Sequence, residues 1–355
     1  MKIKSAFLPL LIVGIGFLSV LGTRALVPSF QVQSLPWLPT AMYFAVAVGL
    51  YLNVSAIELA ELLKNRVATA LVLFLGVPIK IFLPGLALLA IMPSLSIAVV
   101  FLCATVIAQI DPILSAKNID HERFSQKSGT IMLCWFSFDE PITVLFAFYI
   151  FLPLLFSDQP NFIGRYAIEL SIEIVICCLL ALLLNAQKAS AAVRTRSFRR
   201  AAVIAVCVFS GLAGRFLLPA SLGLMVDPFS EQTKERALNV IFVFSCFVIG
   251  VLTINVALNI WAGTVLGAAT FFIAQPLVSL LFIQESKENL LRVMFGHQNG
   301  MIAILLMLAL ELQLDGTELL SVTLPAIVVI ALFYALTNYW IDKQYATSSN
   351  ISESD

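Results

Sequence analysis

The sequence predicts an all-α polytopic membrane protein of about twelve transmembrane helices, built as inverted repeats with two crossing broken helices. Three observations carry this. Of 355 residues, 60% are hydrophobic and only 12% charged, with a mean hydropathy of +0.99, a composition outside the range of soluble folds. The basic residues, Lys80 apart, lie in loops or at helix ends, and most of them fall on one side of the predicted topology. The two halves of the chain also repeat one order of parts, each with a polar interruption inside an apolar helix.

Apolar runs lie near 6–28, 37–62, 67–92, 95–117, 128–155, 163–187, 199–227, 236–256, 258–284, 290–312 and 318–341. Most are long enough to cross about 30 Å of hydrocarbon at 1.5 Å per residue. Lys2 and Lys4 precede a run reaching Val27, too long for the apolar core of a cleaved signal, so this is read as the first spanning helix. The polar stretches of note are 117–128, 187–200 and a Ser-rich tail after Asp342, leaving no room for a soluble domain. Cys103, Cys134, Cys177, Cys178, Cys207 and Cys246 all fall inside apolar segments, as packed thiols do. No cofactor is implied.

The run at 199–227 is interrupted by Gly211, Gly214, Arg215 and Pro219, and loop charge decides how to divide it. With two short helices joined at Gly214-Arg215, the loops holding Lys64 and Arg66, Lys117, Arg123 and Lys127, Lys188 to Arg200, Lys234 and Arg236, and Lys287 and Arg292 share one side with both termini. The other side keeps Arg24, Arg165 and Arg215. This positive-inside pattern implies twelve helices in an inner membrane with both termini cytoplasmic. It divides the chain into repeat one at about 6–155, a linking helix at about 163–187, repeat two at about 199–341 and a tail at 343–355.

The repeat shows in Gly49-Leu50-Tyr51-Leu52-Asn53 and Gly250-Val251-Leu252-Thr253-Ile254-Asn255, each closing a helix. Each is followed by an apolar helix with a proline past its middle (Pro78, Pro276). Next comes a helix with a polar interruption (Asp111-Pro112; Asn299-Gly300), then a last helix. Entering from opposite sides, the copies form the inverted-repeat plan of secondary transporters, with the site where broken helices meet.

The interruptions carry the chemistry. Proline removes a backbone donor and frees carbonyls that lipid cannot satisfy, so Asp111-Pro112 requires protein or water around it. Asp111 then serves either the exposed end of a half-helix or an ion. Asp139 and Glu140, about 100° apart on one helix, sit where hydrocarbon should surround them, and an intramembrane acid marks function by default. Such a pair can trade H⁺ for a hard monovalent cation. Lys80, two residues past Pro78, is too deep to reach the interface and needs a partner among nearby acids. His297 is either a titrating group or, with Asn299, a donor to broken-helix backbone. Glu169 and Glu173, spaced i, i+4, line a funnel or face a partner helix.

These residues resemble the monovalent cation:proton antiporter superfamily, sodium/proton exchangers included, over nearly the whole chain. Ala108-Gln109-Ile110-Asp111-Pro112 is similar to its Thr-Asp-Pro break, with Ile110 where Thr is usual. Asp139-Glu140-Pro141-Ile142-Thr143, beginning 28 residues after Asp111, is similar to its paired-acid motif. The resemblance implies that Glu140 binds the ion, Na⁺ or another monovalent cation, with Asp139 as its partner and Asp111 assisting. It also implies a homodimer and a core bundle that moves against a second domain. The chain departs from the pattern at both usual basic positions: Gln275-Pro276 stands for Lys-Pro, and Asn299-Gly300 for Arg-Gly. Lys80, near the pseudosymmetric counterpart of Gln275, is expected to supply the missing charge.

Three other readings compete. A sodium-coupled organic-anion symporter of the bile-acid type shares the crossing-helix plan but favours ten helices and uncharged breaks. A degenerate antiporter fold acting as channel or sensor would explain the missing basic partners. An intramembrane aspartyl protease needs a Gly-x-Gly-Asp context, which the chain lacks.

Overall fold

Proline decides where the long helices leave α geometry. The computed structural model describes residues 3–26, 35–55, 66–110, 125–156, 162–185, 195–314 and 319–352. Among them are thirteen helices and no strand: α1 (Ile3–Leu26), α2 (Leu38–Val54), α3 (66–91), α4 (Ile97–Ala108), α5 (126–154), α6 (Phe162–Asn185), α7 (Arg196–Ala213), α8 (Leu217–Met225), α9 (Glu231–Leu252), α10 (Ile260–Phe282), α11 (Lys287–Met294), α12 (Met301–Gln313) and α13 (Leu319–Ser352). Stretches of α3, α6, α9, α10 and α13 are long and apolar enough to cross a membrane.

Three helices contain a π segment: Val72–Gly76 in α3, Ala147–Phe151 in α5 and Thr270–Ala274 in α10. Each ends two residues before a proline (Pro78, Pro153, Pro276). In each, the intervening residue donates its N–H to the carbonyl five positions back, Val77 to Val72, Leu152 to Ala147 and Gln275 to Thr270. A proline ring collides with the carbonyl four residues before it. The wider π turn moves that carbonyl aside, so the helix continues past the proline.

The run at 199–227 resolves into α7 and α8. Gly214 closes α7 at φ 65°, its N–H bonded to the Ser210 carbonyl, the left-handed cap that glycine adopts without a Cβ penalty. The fourth apolar run stops sooner than the sequence suggests. Helix α4 ends at Ala108 and Gln109 is already extended (ψ 137°), so the interruption begins before the Asp-Pro pair. Asp111 lies outside the described residues.

The chain divides into two compact units, each built from separated segments. The first gathers Met1–Ala56, Phe156–Ala257 and Ile304–Leu320. In it α1 and α9 cross at glycines: a Cβ on Gly250 would stand 2.0 Å from the Val13 carbonyl oxygen, and one on Gly16 2.3 Å from that of Phe247. Without a hydrophobic drive between helices in lipid, such close backbone approach is what holds them. Glu169 of α6 serves the turn between α7 and α8, and Glu173 the start of α8. Glu169 pairs with Arg215 at 2.8 Å, and the buried Glu173 carboxylate accepts the N–H groups of Leu217 (3.0 Å) and Leu218 (3.3 Å). Helix α8 has no side-chain cap of its own, and Glu173 satisfies two of its orphan donors.

The second unit gathers Ile57–Leu155, Leu258–Ala303 and Ser321–Asp355. Its centre is α4, capped by Ser96, whose hydroxyl accepts the Val99 N–H, and buried from Ala98 through Ala108. A helix apolar on every side belongs in the interior. Cys103, Cys177, Cys207 and Cys246 are buried cysteines outside any disulfide, and Cys178 is an exposed one.

Candidate ion-binding site

Two helix interruptions meet in the second unit. The first is at Gln109 and Ile110, past the end of α4. The second spans 295–300, between α11 and α12. A broken helix leaves carbonyls without intrahelical partners, and buried ones must find donors elsewhere. Asn299 supplies them: its Nδ2 donates to the carbonyls of Ile107 and Gln109, both at 2.9 Å. The buried His297 joins it, with Nε2 3.0 Å from the Ile107 oxygen. A carbonyl only accepts, so Nε2 carries the proton of that bond. The side chains of one break thus cap the backbone of the other.

The second break is held from two more helices. Gln275 Nε2 of α10 donates to the Val293 carbonyl at 3.1 Å, and Asn338 Nδ2 of α13 to that of Phe295 at 3.2 Å. Gln275, in the Lys-Pro position of the resemblance, is therefore engaged with backbone.

The acids come from α5. Asp139 is fully buried, and its Oδ2 accepts from Lys80 Nζ of α3 at 3.0 Å and from the Ile110 N–H at 2.9 Å. The carboxylate thus takes a donor from the first break and a full charge from α3. Both members of the pair are completely shielded, the circumstance in which an ion pair is held tightly because neither charge has water to fall back on. Glu140, the next residue, is equally buried and points about 100° away around α5. Thr143 Oγ1 donates to the carbonyls of both acids, 2.8 Å each, one turn later in the same helix.

Several buried polar atoms here have no protein partner among the described residues: both amide atoms of Gln109, Asp139 Oδ1, Gln275 Oε1, His297 Nδ1 and Asn299 Oδ1. Each orphan would cost about 1–3 kcal/mol if nothing met it. They supply mostly oxygen donors, the set that suits a hard cation or water. Of the sequence-derived residues, Asp139, Lys80, Gln109, Asn299 and His297 come together through these contacts or through the short backbone segment 107–110. Glu140 adjoins them in sequence, and Gln275 reaches the second break by way of Val293. Sequence reasoning passed over Trp135, a turn before Asp139 on the same helix face; its i−4 spacing from the acid was the available signal.

No protein-family model and no curated protein matches this chain. Among solved structures, the sodium proton antiporter MjNhaP1 from Methanocaldococcus jannaschii matches with a TM-score of 0.58, covering 86% of this chain and 83% of that one at 12% sequence identity. At that identity the likeness speaks for architecture. The chain is an all-α polytopic membrane protein with a sodium/proton-exchanger-like fold.

Proposed function

We propose that the protein exchanges a monovalent cation, Na⁺ first among candidates, for protons across the membrane. Glu140 is the group that holds one or the other. The observation that carries the reading is a buried acid pair whose first member is hydrogen-bonded to the backbone of a helix break, within a fold shared with a sodium proton antiporter. Asp139, neutralised by Lys80, shapes the site and sets its charge, with Gln109 and Asn299 at the two breaks beside it; the part of Asp111 rests on the resemblance alone. Coupling follows from competition: a single carboxylate cannot hold a proton and a cation at once, and an empty, ionised site in low dielectric opposes movement. Lys80 takes the part that Lys-Pro or Arg-Gly would play in the resembling superfamily. Loop charge supports an inner-membrane location with cytoplasmic termini, and the resemblance supports a homodimer.

The test is proton movement in everted vesicles or proteoliposomes, read by fluorescence dequenching on addition of Na⁺, K⁺ or Li⁺. Wild type should dequench with at least one of them, and Glu140→Gln should not. If no cation moves protons at any pH from acid to alkaline, the exchanger reading fails. Uptake of an organic anion driven by Na⁺, without proton movement, would favour the symporter instead.

A further inference from the structure

Trp135 is the largest fully buried side chain among the described residues, and nothing in the exchange scheme above uses it. It lies in α5 four residues before Asp139, hence on the same face one turn away. The Lys80 ammonium sits over its ring, 5.4 Å from the centroid. Among the described residues its indole Nε1 has no hydrogen-bond partner, and neither has Asp139 Oδ1, although the indole and the Asp139 carboxylate are close enough to interact. Oδ2 of the same carboxylate already accepts from Lys80 and Ile110. Trp135 therefore offers its π face to the ammonium of the ion pair from the turn before the residue that carries the carboxylate.

We infer that Trp135 is a positioning residue for the Lys80–Asp139 pair. The negative face of an indole attracts an ammonium, most strongly where water is excluded. A lysine side chain has four rotatable bonds, and the flat ring removes the freedom they would give Nζ. By fixing Nζ, Trp135 fixes the direction of the Asp139 carboxylate and the electrostatic surroundings of Glu140. This rests on the exchanger reading for its consequence in transport, but not for the geometry.

Two experiments separate the inference from that reading. In the first, Trp37, Trp261 and Trp340, all more than half exposed, are replaced by Phe, so that emission reports Trp135 alone. Lys80→Met and Asp139→Asn in this background should each change the intensity and position of that emission, whereas Lys80→Arg, which keeps a cation over the ring, should stay near the parent. A core residue that merely fills space would emit alike in all four proteins, and that result overturns the inference whether or not the protein transports anything. In the second, exchange is measured for Trp135→Phe and Trp135→Leu. Phe keeps a π face and should retain a maximal rate within about threefold of wild type, while Leu should lose about tenfold or more with the apparent KM for the cation little changed. Equal losses in Phe and Leu would overturn the inference. A wild-type protein without exchange would strike the exchanger reading and leave the emission result to decide the role of Trp135.

Discussion

Removing the Lys80 ammonium should be among the most damaging single changes in the second unit, and removing its partner as well should undo most of the damage. With Nζ and Oδ2 3.0 Å apart and both side chains fully shielded, the attraction is about 5 kcal/mol at an effective dielectric of 20. Desolvation offsets much of this in the intact pair, but Lys80→Met leaves the Asp139 charge uncompensated, a change that costs about 3–5 kcal/mol. At roughly 2–4 °C per kcal/mol for chains of a few hundred residues, the purified protein should melt about 10 °C lower. The double variant Lys80→Met with Asp139→Asn removes both charges yet keeps an oxygen to accept the Ile110 N–H, so it should melt within a few degrees of wild type. Differential scanning fluorimetry on the four proteins of this cycle reads the result directly. Additive losses in the double variant, or a Lys80→Met protein as stable as wild type, would refute the account of the pair.

Other expectations follow from single contacts. Gly214→Ala should lower stability by about 1 kcal/mol or more, because φ 65° is strained for alanine although the nearest side-chain atom, on Tyr43, is at an ordinary 3.6 Å; Gly214→Asn should recover part of the loss, and equal melting of all three would show that Gly214 does not bear the turn. Glu173→Ala should cost about 1–2 kcal/mol by uncapping α8, with faster hydrogen exchange at Leu217 and Leu218, while Glu173→Gln should fall between. Gly250→Leu should separate α1 from α9, seen as loss of a disulfide engineered across that crossing that forms readily in the parent. Glu285, in the loop after α10, accepts from the Ser125 N–H (2.9 Å) and hydroxyl (2.5 Å); burial opposes its ionisation, but the bonds from Ser125, Asn289 and Ser128 outweigh this and hold its carboxyl below the ordinary 4.5. A lowered folded-state value gives stability that is complete above about 4.5 and fades as pH falls through that lower value. The melting gap between wild type and Glu285→Gln should therefore be constant near neutrality and close on acidification; a gap that widens in acid would reverse the assignment.

Much of the architecture could be read from residue order because lipid imposes simple rules. Long apolar runs gave the spans, and Gly214-Arg215 with the loop charges gave the division of 199–227. Three things are hidden. The π segments before Pro78, Pro153 and Pro276 leave no compositional trace; they are the backbone's answer to a ring clash, and proline alone does not say whether a helix will break or widen. The first interruption starts a few residues before the Asp-Pro pair that marks it in the sequence, since the chain has already turned at Gln109. The intramembrane acids were conspicuous because charge is rare in such company. Which of them meets Lys80 is not legible, because Asp139 and Glu140 are neighbours about 100° apart on α5 and the face that meets α3 is set by tertiary packing.

The two breaks depend on each other in a way that bears on how the site works. Three donor contacts, two from Asn299 and one from His297, reach the carbonyls of Ile107 and Gln109. Pulling one break from the other would orphan those carbonyls in a dry interior, at about 1–3 kcal/mol for each buried group left unmet, more than a weakly bound cation could return. Asp139 adds a fourth tie by accepting the Ile110 N–H while bound to Lys80 of α3. Segments 57–155 and 258–303 accordingly fall in one compact unit although about a hundred residues separate them in sequence. Any cation held among these groups is held by α3, α4, α5 and the break between α11 and α12 together. On the exchange proposed above, the crossing would stay intact, and access to it would change rather than the crossing opening.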